Sequence, residues 1–130
     1  MNTHESYVSL ETSKLLKEAG FKWFINSAYR DGVLMHQGNL LCDNFNGKKY
    51  ENAALHEFFS APTLGIAQRW LREVKMIHIL IYTHAPAKWE PVIMWIRDYT
   101  VIKIASEHSY EEALEAGIKK ALETILEKGE

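Results

Sequence analysis

One cysteine, three prolines and seven glycines are spread through a chain of 130 residues. Each shortage excludes something. A lone Cys42 rules out an internal disulfide and suits a reducing compartment. So little proline and glycine rules out a fibrous or low-complexity chain. Long apolar runs are also missing, since a stretch such as Pro91 to Ile96 falls far short of the ~20 residues of a membrane span. The opening Met1-Asn2-Thr3-His4-Glu5 has neither the basic start nor the apolar stretch of a secretory signal, so the expected location is the cytoplasm. The formal net charge is only −2, so no strong excess of one sign points to nucleic acid or to a membrane surface.

Apolar residues are plentiful, at 47%, with 25% charged, which fits a single domain over residues 1–130. The first periodic segment runs from Leu10 to Ala19, with Ser9 as N-cap and Gly20 as a left-handed stop that lets Phe21 fold back on Leu16. Trp23 to His36 is rich in aromatic and branched residues around Asp31-Gly32, a hairpin signal. Asn39 to Asn52 is dense in turn formers and reads as an irregular loop, and Ala53 to Phe59 as a further helical turn or two.

A second helix is expected to begin near Ser60-Ala61-Pro62-Thr63, with Leu64, Ala67, Leu71 and Val74 on its core face. Ile77 to Thr83, Trp89 to Arg97 and Val101 to Ala105 read as strands, the first two separated by Ala85-Pro86-Ala87. Ser109-Tyr110-Glu111-Glu112 has the capping-box spacing, and Leu114, Ile118, Ala121, Leu122 and Ile125 form the stripe of a final helix. The expected architecture is α+β, an antiparallel sheet with helices packed on one face, in the order α-β-β-(loop)-α-β-β-β-α.

The segment Ser60 to Val74, the Ile77-His78-Ile79 strand, the closing Ser109 to Ile118 stretch, the opening Val8-Ser9-Leu10-Glu11-Thr12 and Lys17 to Phe21 together resemble a group of small bacterial and phage-associated proteins with no assigned chemistry. That resemblance covers most of the chain and implies no activity and no functional residues. The order helix, three strands, helix from about Thr63 to Leu126 is also similar to that of double-stranded-RNA-binding domains, which grip phosphate with a lysine-rich start to their last helix. Here that helix opens with Glu111, Glu112 and Glu115, so the likeness speaks for a fold and against that function.

No pair of the six histidines, His4, His36, His56, His78, His84 and His108, has the spacing of a helical metal site. His36, Cys42 and Asp43 share a loop, where ordinary loop chemistry is the preferred reading. Cys42 lacks the surroundings of a nucleophile, and a free cysteine ordinarily packs as a small hydrophobe. With no nucleophile elbow and no phosphate-cradling glycine loop, no catalytic residue, metal ligand or cofactor is expected, and the chain reads as non-enzymatic. Residues 106–130 carry seven glutamates against three lysines, a net of −4, leaving +2 spread over the rest. Arg69, Arg72 and Lys75, with Lys48 and Lys49, make at most a small basic patch, and Arg69 is placed to pair with Glu73.

The second face of the sheet is the most informative feature. If Ile77, Ile79, Ile81, Val92, Met94, Ile96, Ile102 and Ile104 face the helices, alternation sends His78, Leu80, Tyr82, His84, Ile93, Trp95, Val101 and Lys103 outward. That face is too apolar for water. Either the N-terminal hairpin covers it with Trp23, Phe24 and Tyr29, or it is a contact surface. The favoured reading is a small non-enzymatic accessory or interaction protein of a phage-like setting that binds a protein partner or a second copy of itself. Its interface would be Leu80, Tyr82, Ile93, Trp95 and Val101. The alternative is a nucleic-acid-associated protein using Tyr82, Trp95 and Lys103 as a stacking and charge surface.

Overall fold

The computed structural model describes residues 6–36, 41–51 and 56–129, with backbone alone at position 84. Helix α1 (Leu10–Glu18) starts at Ser9, whose Oγ accepts from the Thr12 amide at 3.2 Å. It stops at Gly20 (φ 97°), and the Phe21 amide donates back to the Leu16 carbonyl at 2.9 Å. Both side chains are fully buried, so the expected fold-back is present.

Asp31 (φ 52°) and Gly32 (φ 83°) form the two-residue turn between β1 (Ala28–Arg30) and β2 (Val33–Met35), because a tight hairpin needs positive φ at both central positions. A single turn of helix, α2 (Lys48–Glu51), occupies part of the expected loop. Phe58–Ser60 is not helical but a strand, β3, paired antiparallel with the free edge of β1. Its end is fixed by side chains, the Ser60 amide donating to Asn46 Oδ1 at 2.9 Å and Ser27 Oγ to the Ala61 carbonyl at 2.6 Å. Residues 53–55 of the expected helical stretch, and Asn39 and Asn52 of the expected loop, lie outside the described residues.

Helix α3 (Leu64–Val74) is capped by Thr63, with Pro62 just ahead of the cap. Trp70, expected with Ile66 to widen the apolar stripe, is in the core at 1% exposure, whereas Val74, expected on the core face, is exposed. A nine-residue strand, β4 (Ile77–Ala85), turns at Pro86-Ala87 into β5 (Lys88–Trp95), and β6 (Val101–Lys103) pairs with the other edge of β5. Helix α4 (Tyr110–Lys128) begins where Ser109 Oγ accepts from the Glu112 amide at 3.1 Å. Glu112 Oε1 accepts from the Ser109 hydroxyl, so side chain meets side chain rather than completing the expected reciprocal box.

The class is α+β with antiparallel pairing, as expected, but the strands of the described residues form two three-stranded sheets, β2-β1-β3 and β4-β5-β6. The first packs on α1 through β3; the second carries α3 and α4 against β4 and β5. Leu16, Phe21, Trp70, Leu71, Ile79, Ile93, Ile118, Leu122 and Ile125 form one continuous core between them. Burying each such side chain contributes roughly 1.5–3 kcal/mol. Among the described residues, no helix packs on the far face of β4-β5-β6.

Candidate functional site

Register decides which side chains that far face presents. The Pro86-Ala87 turn pairs Ala85 with Lys88, but Thr83 pairs with Trp89, so position 84 is one extra residue on β4. A two-residue turn with no irregularity would set Ile79 opposite Met94. The bulge instead sets Ile79 opposite Ile93 and Ile77 opposite Trp95. A shift of one residue exchanges the two faces of a strand. Ile93 is therefore fully buried with Ile77 and Ile79 against the helices, and Trp95 is half-buried on that same side, with Lys128 Nζ 5.4 Å from its ring centre.

The sequence-based interface thus divides. Leu80, Tyr82 and Val101 lie together on the far face; Ile93 and Trp95 do not belong to it. Their places are taken by Val92, opposite Leu80, and Met94, opposite His78 and Val101. Expectation placed Val92 and Met94 inward because both alternating sets of residues 89–97 are apolar, and only the bulge separates them. Lys103 is opposite Val92, and Glu90 is opposite Tyr82. These side chains surround a shallow hollow of about 390 Å³ whose floor is Val92, 5% exposed, and whose rim includes Tyr82 and Val101, about half exposed at 50% and 49%. Of His84 only the backbone is described, so its expected place on this face lies outside the described side chains.

The N-terminal hairpin does not supply a cover through the residues expected to do so. The Trp23 ring centre lies 6.2 Å from that of Phe21, with the Arg69 guanidinium over the Trp23 ring, Phe24 is exposed, and Tyr29 donates its hydroxyl to the Val8 carbonyl at 2.8 Å. Separating Tyr82 from Trp95 across the sheet also removes the aromatic pair on which a nucleic-acid stacking surface was expected to rest.

The remaining polar clusters act as staples. Asp43 accepts from the Asn44 amide at 2.8 Å through Oδ1, and from Lys49 at 2.6 Å and the Tyr50 hydroxyl at 2.7 Å through Oδ2. The Lys49 ammonium first, then the Tyr50 hydroxyl and the Asn44 amide, hold its carboxyl down at about 2. Asp31 is held below the ordinary carboxylate range by the Glu57 amide and by His56, 2.6 Å away, which ties the hairpin turn to the segment before β3. Both carboxylates spend their oxygens on protein donors. The His36 ring packs at a tilt against Tyr7 with ring centres 5.1 Å apart, and Cys42 is exposed rather than packed as a small hydrophobe. Among the described residues no three His, Cys, Asp or Glu side chains are grouped to hold a metal ion. Arg69 pairs with Glu73 at 2.6 Å, as the spacing predicts. Among the described residues no helix is long and apolar enough to cross a membrane. No family model, no curated protein and no solved structure matches the chain.

Proposed function

We propose that this is a non-enzymatic interaction protein whose contact surface is the far face of β4-β5-β6, with a second copy of the chain as its partner. The observation that carries this reading is the Leu80, Tyr82, Val92, Met94 and Val101 cluster. It sits on the side of the sheet away from α3 and α4, where polar residues would ordinarily alternate with the core set. Tyrosine and methionine are among the residue types enriched at protein interfaces, and this face offers Tyr82 and Met94. On this reading the protein works in the cytoplasm, where reducing conditions keep exposed Cys42 from linking copies covalently.

The test is the mass by sedimentation or light scattering at micromolar concentration, for the wild type and for Val101→Glu, whose site is exposed enough to spare the fold. A wild-type mass above one chain, reduced to one chain by the substitution with the far-UV spectrum unchanged, supports the reading. A wild-type mass of one chain overturns it.

A further inference from the structure

Independently of the far face, we infer that the hollow where α3 and α4 end binds a small anion with a flat apolar body, an aromatic monocarboxylate, whose head meets Arg97 and whose ring lies against Trp95. The hollow measures about 510 Å³, larger than that of the far face and within the range of small-molecule sites. Its place follows from the path of the chain. Only Lys75 and Met76 separate α3 from β4, and Met76 (φ 58°) makes the reversal in the left-handed region, its carbonyl accepting from the Ile96 amide at 2.9 Å. The last turns of α3 and α4 thereby stand over one end of the sheet, beside the turn between β5 and β6.

Apolar groups form the floor and cations the rim. Ile77 and Ile125, each 1% exposed, lie at the bottom, with Val74 and the half-buried Trp95 ring as walls. These side chains offer no polar atom except the Trp95 indole N–H, which has no acceptor among the described residues. Arg97 and Lys75 line the rim, and Lys128 stands beside it with Nζ 5.4 Å from the Trp95 ring centre. Lys75 likewise lies over an indole, its Nζ 5.8 Å from the Trp70 ring centre. Among the described residues none of these three cations is ion-paired. The carboxylate at the rim, Asp98, accepts from the Thr100 amide at 3.0 Å and is tied to its own turn.

Basic residues near helix ends have an ordinary use, since each C-terminus carries about half a negative charge. Two such ends together with Asp98 answer about two of the three positive charges. About one remains, above an apolar floor where solvent screens it less than on open surface. That remainder matches one carboxylate rather than a doubly charged phosphate. The planar fork of the Arg97 guanidinium can take both carboxylate oxygens, and the Trp95 ring gives an aromatic body a flat wall to pack on. A neutral ring would leave the rim unanswered. A bare anion would leave the floor in water.

The probe is 2-naphthoate, titrated into the full chain and followed by NMR at the Trp95 indole N–H, with neutral 2-naphthamide and with acetate as comparisons. Naphthoate should saturate with a Kd of about 0.1–1 mM, the scale for a ligand of that size. The amide and acetate should each bind roughly tenfold more weakly or worse. Arg97→Gln, at an exposed position that spares the fold, should weaken naphthoate roughly tenfold and leave the amide unchanged. Arg30→Gln removes the same charge from the other sheet and should leave naphthoate binding as it is. Equal losses from both substitutions, or no loss from Arg97→Gln, would reduce the effect to overall charge and overturn the site. Saturation only above about 10 mM overturns it too, as adventitious binding. So do shifts centred on Leu80, Val92 and Val101, which would put the probe in the far-face hollow. Val101→Glu should bind naphthoate like the wild type, so the contact face and this site stand or fall separately.

Discussion

The backbone amide of Ser9 donates to Glu115 Oε1 at 2.7 Å, across 106 positions of sequence. The last helix thereby takes up a donor at the residue where the first helix begins. Next to it, Lys119 pairs with Glu11 at 3.0 Å, so two polar contacts bind α1 to α4 beside their apolar seam.

Glu115→Ala removes the acceptor from an amide at a helix start, and stability should fall by about 0.5–1.5 kcal/mol. Glu115→Gln keeps an acceptor oxygen at that place and should fall by less. Urea denaturation of the three proteins ranks them; equal midpoints for alanine and wild type would show that water replaces the contact without loss.

Gly117→Ala should destabilise although alanine is the better helix former. A Cβ at Gly117 would lie 2.8 Å from Ile79 Cγ2 and 3.3 Å from Pro91 Cβ, so α4 would have to lift off β4 and β5. The expected loss is roughly 1–3 kcal/mol net, against a propensity gain of about 1 kcal/mol. Gly65 is the internal comparison, because nothing lies within 4 Å of its added Cβ, and Gly65→Ala should be neutral or stabilising by up to about 1 kcal/mol. Thermal melts check both: the midpoint of Gly117→Ala should fall, and that of Gly65→Ala should stay or rise.

Ile118→Ala tests whether the final helix is part of the one core. Ile118 is fully buried in the cluster that joins α1, α3, α4 and the second sheet. Truncation leaves a cavity that close-packed neighbours fill only in part, at a cost of about 2–5 kcal/mol in a single cooperative transition. A change under about half a kilocalorie per mole, or two separate transitions, would place α4 outside the core.

What the sequence made legible was local. Ser9 and Ser109 as caps, Asp31-Gly32 as a turn and the Leu114 to Ile125 stripe each follow from chemistry within a few residues. Alternation also gave the inward set of β4, Ile77 and Ile79. The phase of β5 was not legible, because Val92 and Met94 are as apolar as Ile93 and Trp95, and the choice falls to one extra residue at position 84. Two of five interface residues were consequently assigned to the wrong face. Phe58–Ser60 was misread for a similar reason: its pairing with β1 is a long-range contact, and its side-chain anchors, Asn46 and Ser27, lie in other segments.

Asp43 gives the fold a definite response to acid. Its carboxyl sits at about 2 in the folded protein because Lys49, Tyr50 and the Asn44 amide all favour the charged form. In the unfolded chain an aspartate titrates at about 3.9. A depressed folded value contributes stability that is fully present above the unfolded value and is lost as pH falls through the folded one. Asp43 should therefore stabilise the protein at neutral pH and cease to do so between about pH 4 and pH 2. Asp43→Asn lacks that contribution throughout, so its urea midpoint should lie below wild type at pH 6 and converge on it toward pH 2. Lys49→Met removes the largest cause while leaving Tyr50 and the Asn44 amide, and should move the Asp43 carboxyl part of the way back to its ordinary value, as read by NMR titration. A difference between wild type and Asp43→Asn that stays constant from pH 6 to pH 2 would mean that the Lys49 and Tyr50 contacts stabilise the carboxylate no better than water does.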